Sequence, residues 1–216
     1  CAGFVTAFDT AAKFIQADTQ YRNIMIIGAY AMSKYLCLTD KKTSNLFADG
    51  AGAMILEAEE NSSNGLLASK MITKGQYHDF MGIYAGGTYR PLTHDLPADN
   101  SQMLQLTKKF PKELNPQMWS SIAMDLCKKI NIQPDEVDHY LLTQINIMSI
   151  RETMDILGLP HSKAHTSMHY YGYTGSACIP LAFDDAVKKN KIKRGDLIFM
   201  IGSGGGLAFA GAAIKY

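Results

Sequence analysis

The stretch LIFMIGSGGGLAFAGAAI, Leu197–Ile214, decides the fold. Two apolar runs, Leu197–Ile201 and Leu207–Ile214, flank a glycine run and are typical of buried strands. The small residues of the second run indicate tight packing against a neighbouring helix. A glycine run that enters a strand also lets backbone N–H groups approach a bound group closely. The stretch therefore predicts two core strands with a backbone cradle between them.

The rest of the chain alternates between helical and strand patterns. Apolar residues at helical spacing predict a helix that starts at Cys1, and strands are predicted at Asn23–Ala29, Gly50–Leu56 and His139–Leu142. Further helices are predicted at Pro116–Ile130, Asn146–Leu157 and Ser176–Asn190, and a surface excursion at Met71–Asn100. The alternation predicts an α/β layered fold with a mainly parallel sheet.

Composition excludes several classes of protein. The chain has 216 residues, 47% of them hydrophobic, and a net charge of +1, so neither nucleic acid nor an anionic membrane is an expected partner. No apolar run is long enough to span a bilayer. The four cysteines, Cys1, Cys37, Cys127 and Cys178, lack metal-ligand spacing, so we expect no metal site and free thiols in the cytoplasm. The last three are expected to be small core residues.

Five motifs occur in a characteristic order: CAGF at the first helix, FADGAGA at Phe47–Ala53, YTGSACIP at Tyr173–Pro180, DDAVKKNKIKRGD at Asp184–Asp196 and GSGGGLAFAGAAI at Gly202–Ile214. Together they resemble the β-ketoacyl-acyl-carrier-protein synthase III family of the thiolase-like superfamily. The resemblance implies two α/β halves in α-β-α-β-α layers, with the first half incomplete in this chain. Residues 1–60 would be the remainder of the N-terminal half, 61–115 an excursion, and 116–216 the C-terminal half.

The resemblance also implies partners. The family usually forms a homodimer, and a missing N-terminal segment of the same protein, or a partner chain, would cover apolar surface that this chain exposes. A homo- or heterodimer is therefore expected. The implied substrates are thioesters of coenzyme A or of the phosphopantetheine on an acyl carrier protein, with no covalently bound cofactor.

Cys1 matches the family's nucleophile, which takes an acyl group from a thioester. A cysteine at a helix start has its thiolate stabilised by the helix dipole. The backbone N–H groups of Cys1 and Gly205 match the family's oxyanion hole, whose alternative interpretation at Gly205 is a simple tight turn.

The chain departs from the family at the two residues that assist condensation. In Leu142-Thr143-Gln144-Ile145-Asn146, Thr143 stands at the family's histidine position, and in Tyr171-Gly172-Tyr173-Thr174, Tyr173 stands at its asparagine position. Decarboxylative condensation is therefore expected to be very poor. His169 is a weak candidate for a substitute base. Met148 replaces an arginine that often docks the carrier protein, and His78, His94, His139, His161 and His165 are expected on the surface or in loops.

Three hypotheses follow. The first is a divergent acyltransferase of fatty-acid or polyketide-type biosynthesis, which keeps Cys1 for acyl-enzyme formation. The second is a catalytically degenerate structural subunit of a ketosynthase heterodimer. The third is an N-terminal-nucleophile hydrolase, which takes Cys1 as a true first residue but generally needs an antiparallel sandwich.

Overall fold

The computed structural model describes residues 1–93 and 100–216. Its helices are α1 (Ala2–Ala17), α2 (Leu114–Ile130), α3 (Ile147–Ile156), α4 (Met168–Tyr171) and α5 (Cys178–Lys188). Its strands are β1 (Asn23–Tyr30), β2 (Gly50–Glu57), β3 (Gly65–Thr73), β4 (Met81–Gly82), β5 (Gln105–Leu106), β6 (His139–Leu142), β7 (Leu197–Gly204) and β8 (Ala208–Lys215). Every predicted helix and strand is present, with bounds that differ by a few residues.

The central sheet has the strand order β3-β8-β7-β6. Only β6 and β7 pair in parallel, whereas β7 with β8 and β3 with β8 pair antiparallel. The prediction of a mainly parallel sheet is therefore wrong. The physical reason is the glycine run, because it joins β7 to β8 by a short turn, and a short turn can connect only antiparallel neighbours.

Both faces of the central sheet are buried, which explains the continuous apolar run of β7. Ile198 and Met200 point to one side, into a core shared with α1 and α5. Phe199 and Ile201 point to the other side, into a core shared with Trp119 of α2 and with α3. A strand that is buried on two faces has no polar positions to alternate with.

A second, two-stranded sheet of β1 and β2 lies on the outer side of α1 and α5. The layers of the described residues are therefore helix, sheet, helix, sheet. Met25, Ile27 and Ile55 project from the outer face of this small sheet and are each more than half exposed, with Met25 directly opposite Ile55. These residues form an unusually apolar exposed face.

Two local expectations need correction. The strand β3 was not predicted; it begins at Gly65 and continues into the predicted excursion, as far as Thr73. Its half-buried positions carry Ser69 and Lys70 besides apolar residues, so no clean alternation marks it as a strand. Cys37 is half-buried beside Thr39 instead of lying in the core, whereas Cys127 and Cys178 are core residues as predicted. Among the described residues, no helix combines the length and apolarity needed to cross a membrane.

Candidate active site

Cys1 is the N-cap residue of α1, and its carbonyl accepts the N–H of Phe4. The first N–H groups of a helix have no acceptor within the helix, so they are free to stabilise negative charge near Cys1. Gly202 of β7 lies directly against this helix start. A Cβ atom at Gly202 would sit 2.9 Å from the backbone N of Ala2 and 2.9 Å from the carbonyl carbon of Cys1. The glycine thus permits the close approach that holds the cysteine against the sheet.

The Cys1 thiol lies among three partners from a single distant segment. Its single S–H can donate either to the carbonyl oxygen of Gly175, 3.0 Å from Sγ, or to the Tyr173 phenol oxygen, 3.4 Å away. Its Sγ also lies 3.0 Å from the Sγ of Cys178. Among the described residues, none of these contacts comes from a histidine or a carboxylate. The helix start and the phenol are therefore the groups that stabilise the thiolate.

Tyr173 is fixed by its ring and by its backbone. The ring packs against Phe47 and Tyr30 at centroid distances of 5.3 Å and 6.5 Å, and its carbonyl accepts the N–H of Ala48 at 2.9 Å. Burial raises the pKa of Tyr173, so the phenol stays protonated and can donate to an anion. The predicted site residue thus touches the predicted nucleophile.

Thr143 is fully buried at the end of β6 and ties two strands together. Its Oγ1 accepts the backbone N–H of Ser203 at 2.9 Å, and its own N–H donates to Ile201 at 3.1 Å. Ser203 immediately precedes the glycine turn. Thr143 therefore positions the backbone that leads into Gly204 and Gly205.

Gln144 and His165 are part of the frame behind the site. The Gln144 side chain donates to the carbonyl of Leu142 and accepts the N–H of Ser167. His165 lies in the loop between Lys163 and Met168, as expected of a surface or loop histidine, but it is buried there and its Nε2 lies 2.7 Å from Asp185. Burial lowers the pKa of His165, partly offset by the hydrogen bond to Asp185. An isolated histidine in the sequence gives no sign of a carboxylate partner twenty residues away.

A cavity of about 90 Å³ opens beside Tyr173 and the glycine turn. It is lined by apolar side chains of α2 and of β4, with a few polar groups. The lining residues are Met81, Phe110, Pro111, Leu114, Asn115, Tyr173, Ser203, Gly204, Gly205 and Leu207. Gly205 thus faces the same space as Tyr173, while Cys1 adjoins that space through its contact with the phenol.

Other candidates from the sequence lie elsewhere. His169 is exposed, with its ring 4.0 Å from that of Tyr170, and Met148 is exposed on α3. His94 lies outside the described residues.

Sequence reasoning missed Cys178 as a part of the site. It was assigned to the core, which is correct, but its sulfur touches the predicted nucleophile. Cys178 follows Tyr173 by only five residues, and the 3-10 turn Gly175–Ala177 lies between them, so both residues are close to Cys1. This short spacing from a predicted site residue could have indicated that Cys178 belongs to the site.

Comparison with known proteins gives a consistent result. A model described as 3-oxoacyl-[acyl-carrier-protein (ACP)] synthase III matches residues 1–75, and the model for the C terminal of the same protein matches residues 127–216. A β-ketoacyl-[acyl-carrier-protein] synthase III of Aquifex aeolicus is 31% identical over the whole chain, which spans 64% of that relative. One of Rhodopirellula baltica is 32% identical, and the chain spans 67% of it.

A solved structure supports the same assignment. The crystal structure of 3-oxoacyl-[acyl-carrier-protein] synthase III from Aquifex aeolicus superposes with a TM-score of 0.84 at 30% identity, over all of this chain and 65% of that one. The fold class predicted from the sequence is thereby confirmed as thiolase-like, and this chain spans about 65% of the matching structure. The two matching models, the relatives and the shared fold lead to one conclusion: the chain belongs to the 3-oxoacyl-[acyl-carrier-protein] synthase III family.

Proposed function

We propose that this chain carries the acyl-transfer half of the family's chemistry, with Cys1 as the nucleophile. The observation that carries the proposal is the position of Cys1, at the start of α1 and 3.4 Å from a protonated phenol. In the proposed step, the Cys1 thiolate forms a bond to the carbonyl carbon of an acyl thioester. The resulting oxyanion is stabilised by backbone N–H groups of Cys1 and Gly205. It collapses to the acyl-enzyme and expels the coenzyme A or phosphopantetheine thiolate, which takes up a proton.

We further propose that decarboxylative condensation with a malonyl thioester is slow. Thr143 already uses its oxygen to accept the N–H of Ser203, and a hydroxyl is no base near neutral pH. Tyr173 offers one donor beside Cys1, but its ring occupies the space between Phe47 and the nucleophile. Loss of one good oxyanion donor costs about 3–4 kcal/mol, or about a hundred- to a thousandfold in rate. The acyl group on Cys1 would then pass to an acceptor other than malonate.

Other features of the whole protein are proposals of the same kind. The apolar outer face of β1 and β2, with Met25, Ile27 and Ile55, supports a covering segment of the same protein or a partner chain. We propose a homo- or heterodimer, which that face supports, and a location in the cytoplasm, which the free thiols support. Acyl-CoA or acyl carrier protein would supply the acyl group.

The experiment is acyl transfer from acyl-CoA, followed by intact mass spectrometry. Incubation with acyl-CoA of several chain lengths is expected to add one acyl group, located on Cys1 by peptide mapping. Cys1→Ala is the matched control and is expected to gain no mass. An unmodified wild-type protein with every acyl-CoA and acyl carrier protein tested would refute the proposal.

A structural subunit is the second candidate, supported by the structural use of Thr143 and by the tight packing of Tyr173. The same experiment separates the two, because a structural subunit leaves Cys1 unacylated both alone and with its partner. The N-terminal-nucleophile hydrolase no longer has support, because the chain shares the layered fold and the family of the condensing enzymes.

A further inference from the structure

We propose that Cys1 and Cys178 are a reversible redox pair, in which Cys178 captures an oxidised Cys1 as a disulfide and protects it from irreversible oxidation. The two sulfur atoms lie 3.0 Å apart, and both cysteines are free thiols in the structure. This inference does not rest on acyl transfer, since it concerns the chemistry of the thiols alone.

The backbone brings the two sulfurs together from opposite ends of the chain. Cys1 caps the start of α1, and Cys178 is the first residue of α5, directly after the 3-10 turn Gly175–Ala177. The starts of two helices therefore meet at the sulfur pair, and both helix dipoles favour negative charge there. A disulfide has a sulfur–sulfur bond of about 2.05 Å, so the two atoms need to close by only about 1 Å.

The surroundings of the two sulfurs assign them different roles. Cys178 is enclosed and accepts the backbone N–H of Gln144 at 3.5 Å. Burial raises the pKa of the Cys178 thiol to about 11, so it is protonated near neutral pH. Cys1 instead touches Tyr173, which lines the cavity beside the glycine turn. Cys1 keeps 8% of its surface exposed and Cys178 only 2%, so Cys1 is the more accessible of the two thiols to a small oxidant.

The chemistry balances with a hydroperoxide as the oxidant. The Cys1 thiolate attacks one peroxide oxygen, a sulfur–oxygen bond forms, the oxygen–oxygen bond breaks, and hydroxide leaves to take a proton. Cys178 loses its proton and its sulfur attacks the sulfenic acid of Cys1, so a disulfide forms and the sulfur–oxygen bond breaks with release of a second water. Two electrons pass from the thiol pair to one hydrogen peroxide. A dithiol reductant restores both thiols by exchange.

The benefit of the pair is kinetic. Without a neighbouring thiol, a sulfenic acid reacts with more peroxide to sulfinic and sulfonic acids, which are not reversed by thiols. A thiol held in contact has an effective concentration on the order of mM or more. Against peroxide at ~0.1 mM, this local concentration by itself favours capture by Cys178 over further oxidation by about tenfold or more.

The experiment treats the reduced full chain with hydrogen peroxide, blocks the remaining thiols and maps the peptides without reduction. The expected result is a cross-linked peptide pair of Cys1 and Cys178 that dithiothreitol separates again. In Cys178→Ala, sulfinic and sulfonic Cys1 are expected to accumulate about tenfold or more faster than in the wild type. Cys178→Ser keeps the size of the side chain and is expected to behave as Cys178→Ala does. It takes the place of the alanine variant in the test if that variant misfolds.

Cys37→Ser is the matched control. Cys37 is the more accessible thiol and hydrogen bonds from Thr39 lower its pKa, so it would react first if exposure alone governed oxidation. The cross-link of Cys1 to Cys178 is expected to form in Cys37→Ser as in the wild type. Over-oxidised Cys1 beside a free Cys178 in the wild type, or equal loss of Cys1 with and without Cys178, would overturn the proposal. Because the readout is mass without any thioester, its failure is distinct from a failure of acyl transfer.

Discussion

Replacement of Tyr173 by phenylalanine isolates what the phenol does for the nucleophile. The ring contacts with Phe47 and Tyr30 and the backbone bond to Ala48 stay, so only the hydroxyl beside Cys1 is lost. A hydrogen bond to a charged group contributes about 1.5–3 kcal/mol, which corresponds to about a 10- to 150-fold change in the thiolate population. The remaining thiolate becomes intrinsically more nucleophilic, with a Brønsted coefficient of about 0.4–0.5. The net effect is therefore an alkylation of Cys1 that is roughly 3- to 20-fold slower.

The assay is the rate of Cys1 alkylation by iodoacetamide, followed by peptide mapping, at a pH low enough for the thiol form to dominate. Tyr30→Phe is the matched control, because it deletes the same atom from a ring that packs on Tyr173 without a hydrogen bond to Cys1. Its alkylation rate is expected to equal that of the wild type. If Tyr173→Phe also reacts at the wild-type rate while its thermal stability is unchanged, the phenol does not stabilise the thiolate and the reasoning fails.

Three further predictions concern the frame of the site. Thr143→Val should lower the free energy of unfolding by about 1–3 kcal/mol, because the buried N–H of Ser203 in β7 loses its acceptor, whereas Thr143→Ser should lower it by less. Chemical denaturation measures both, and an equal decrease in the two variants would contradict the assigned hydrogen bond. Gly202→Ala should reduce both stability and Cys1 acylation, since its Cβ would crowd the backbone N of Ala2, and wild-type values in melting and acylation assays would disprove that contact. Burial lowers the pKa of His165, so protonation of this residue favours the unfolded state; its contribution to stability is therefore full above its unfolded pKa of about 6.5 and is lost as the pH decreases below that value. Melting temperature measured against pH should show this decline, and the decline should be smaller in His165→Gln. An unchanged profile in the variant would exclude His165 as the source.

The sequence predicted the parts of the fold that depend on local patterns. Apolar residues at helical spacing predict a helix with Phe4 and Phe8 on its buried face. The structure has this helix, α1, with Cys1 at its start. The glycine run marks the turn between β7 and β8. The pairing direction was not predicted, because strand order depends on which segments meet, and neither spacing nor composition reports that.

The site shows the same division. Cys1 and Tyr173 were singled out from motifs, yet their contact joins residues 172 positions apart and only the folded chain reveals it. Cys178 and His165 were assigned from residue type alone. This correctly indicates burial for Cys178 but misses the burial of His165. In both cases the deciding partner, Cys1 or Asp185, is supplied by tertiary packing.

The central claim is that acyl transfer to Cys1 persists while decarboxylative condensation is impaired. A single-turnover experiment with pre-acylated protein and a malonyl thioester tests it directly, by measuring carbon dioxide release against the rate of acylation. We predict that carbon dioxide leaves the malonyl thioester at least about a hundredfold more slowly than the acyl-enzyme forms, consistent with the loss of one or both oxyanion donors. Carbon dioxide release and carbon–carbon bond formation at the rate of acylation would contradict the account.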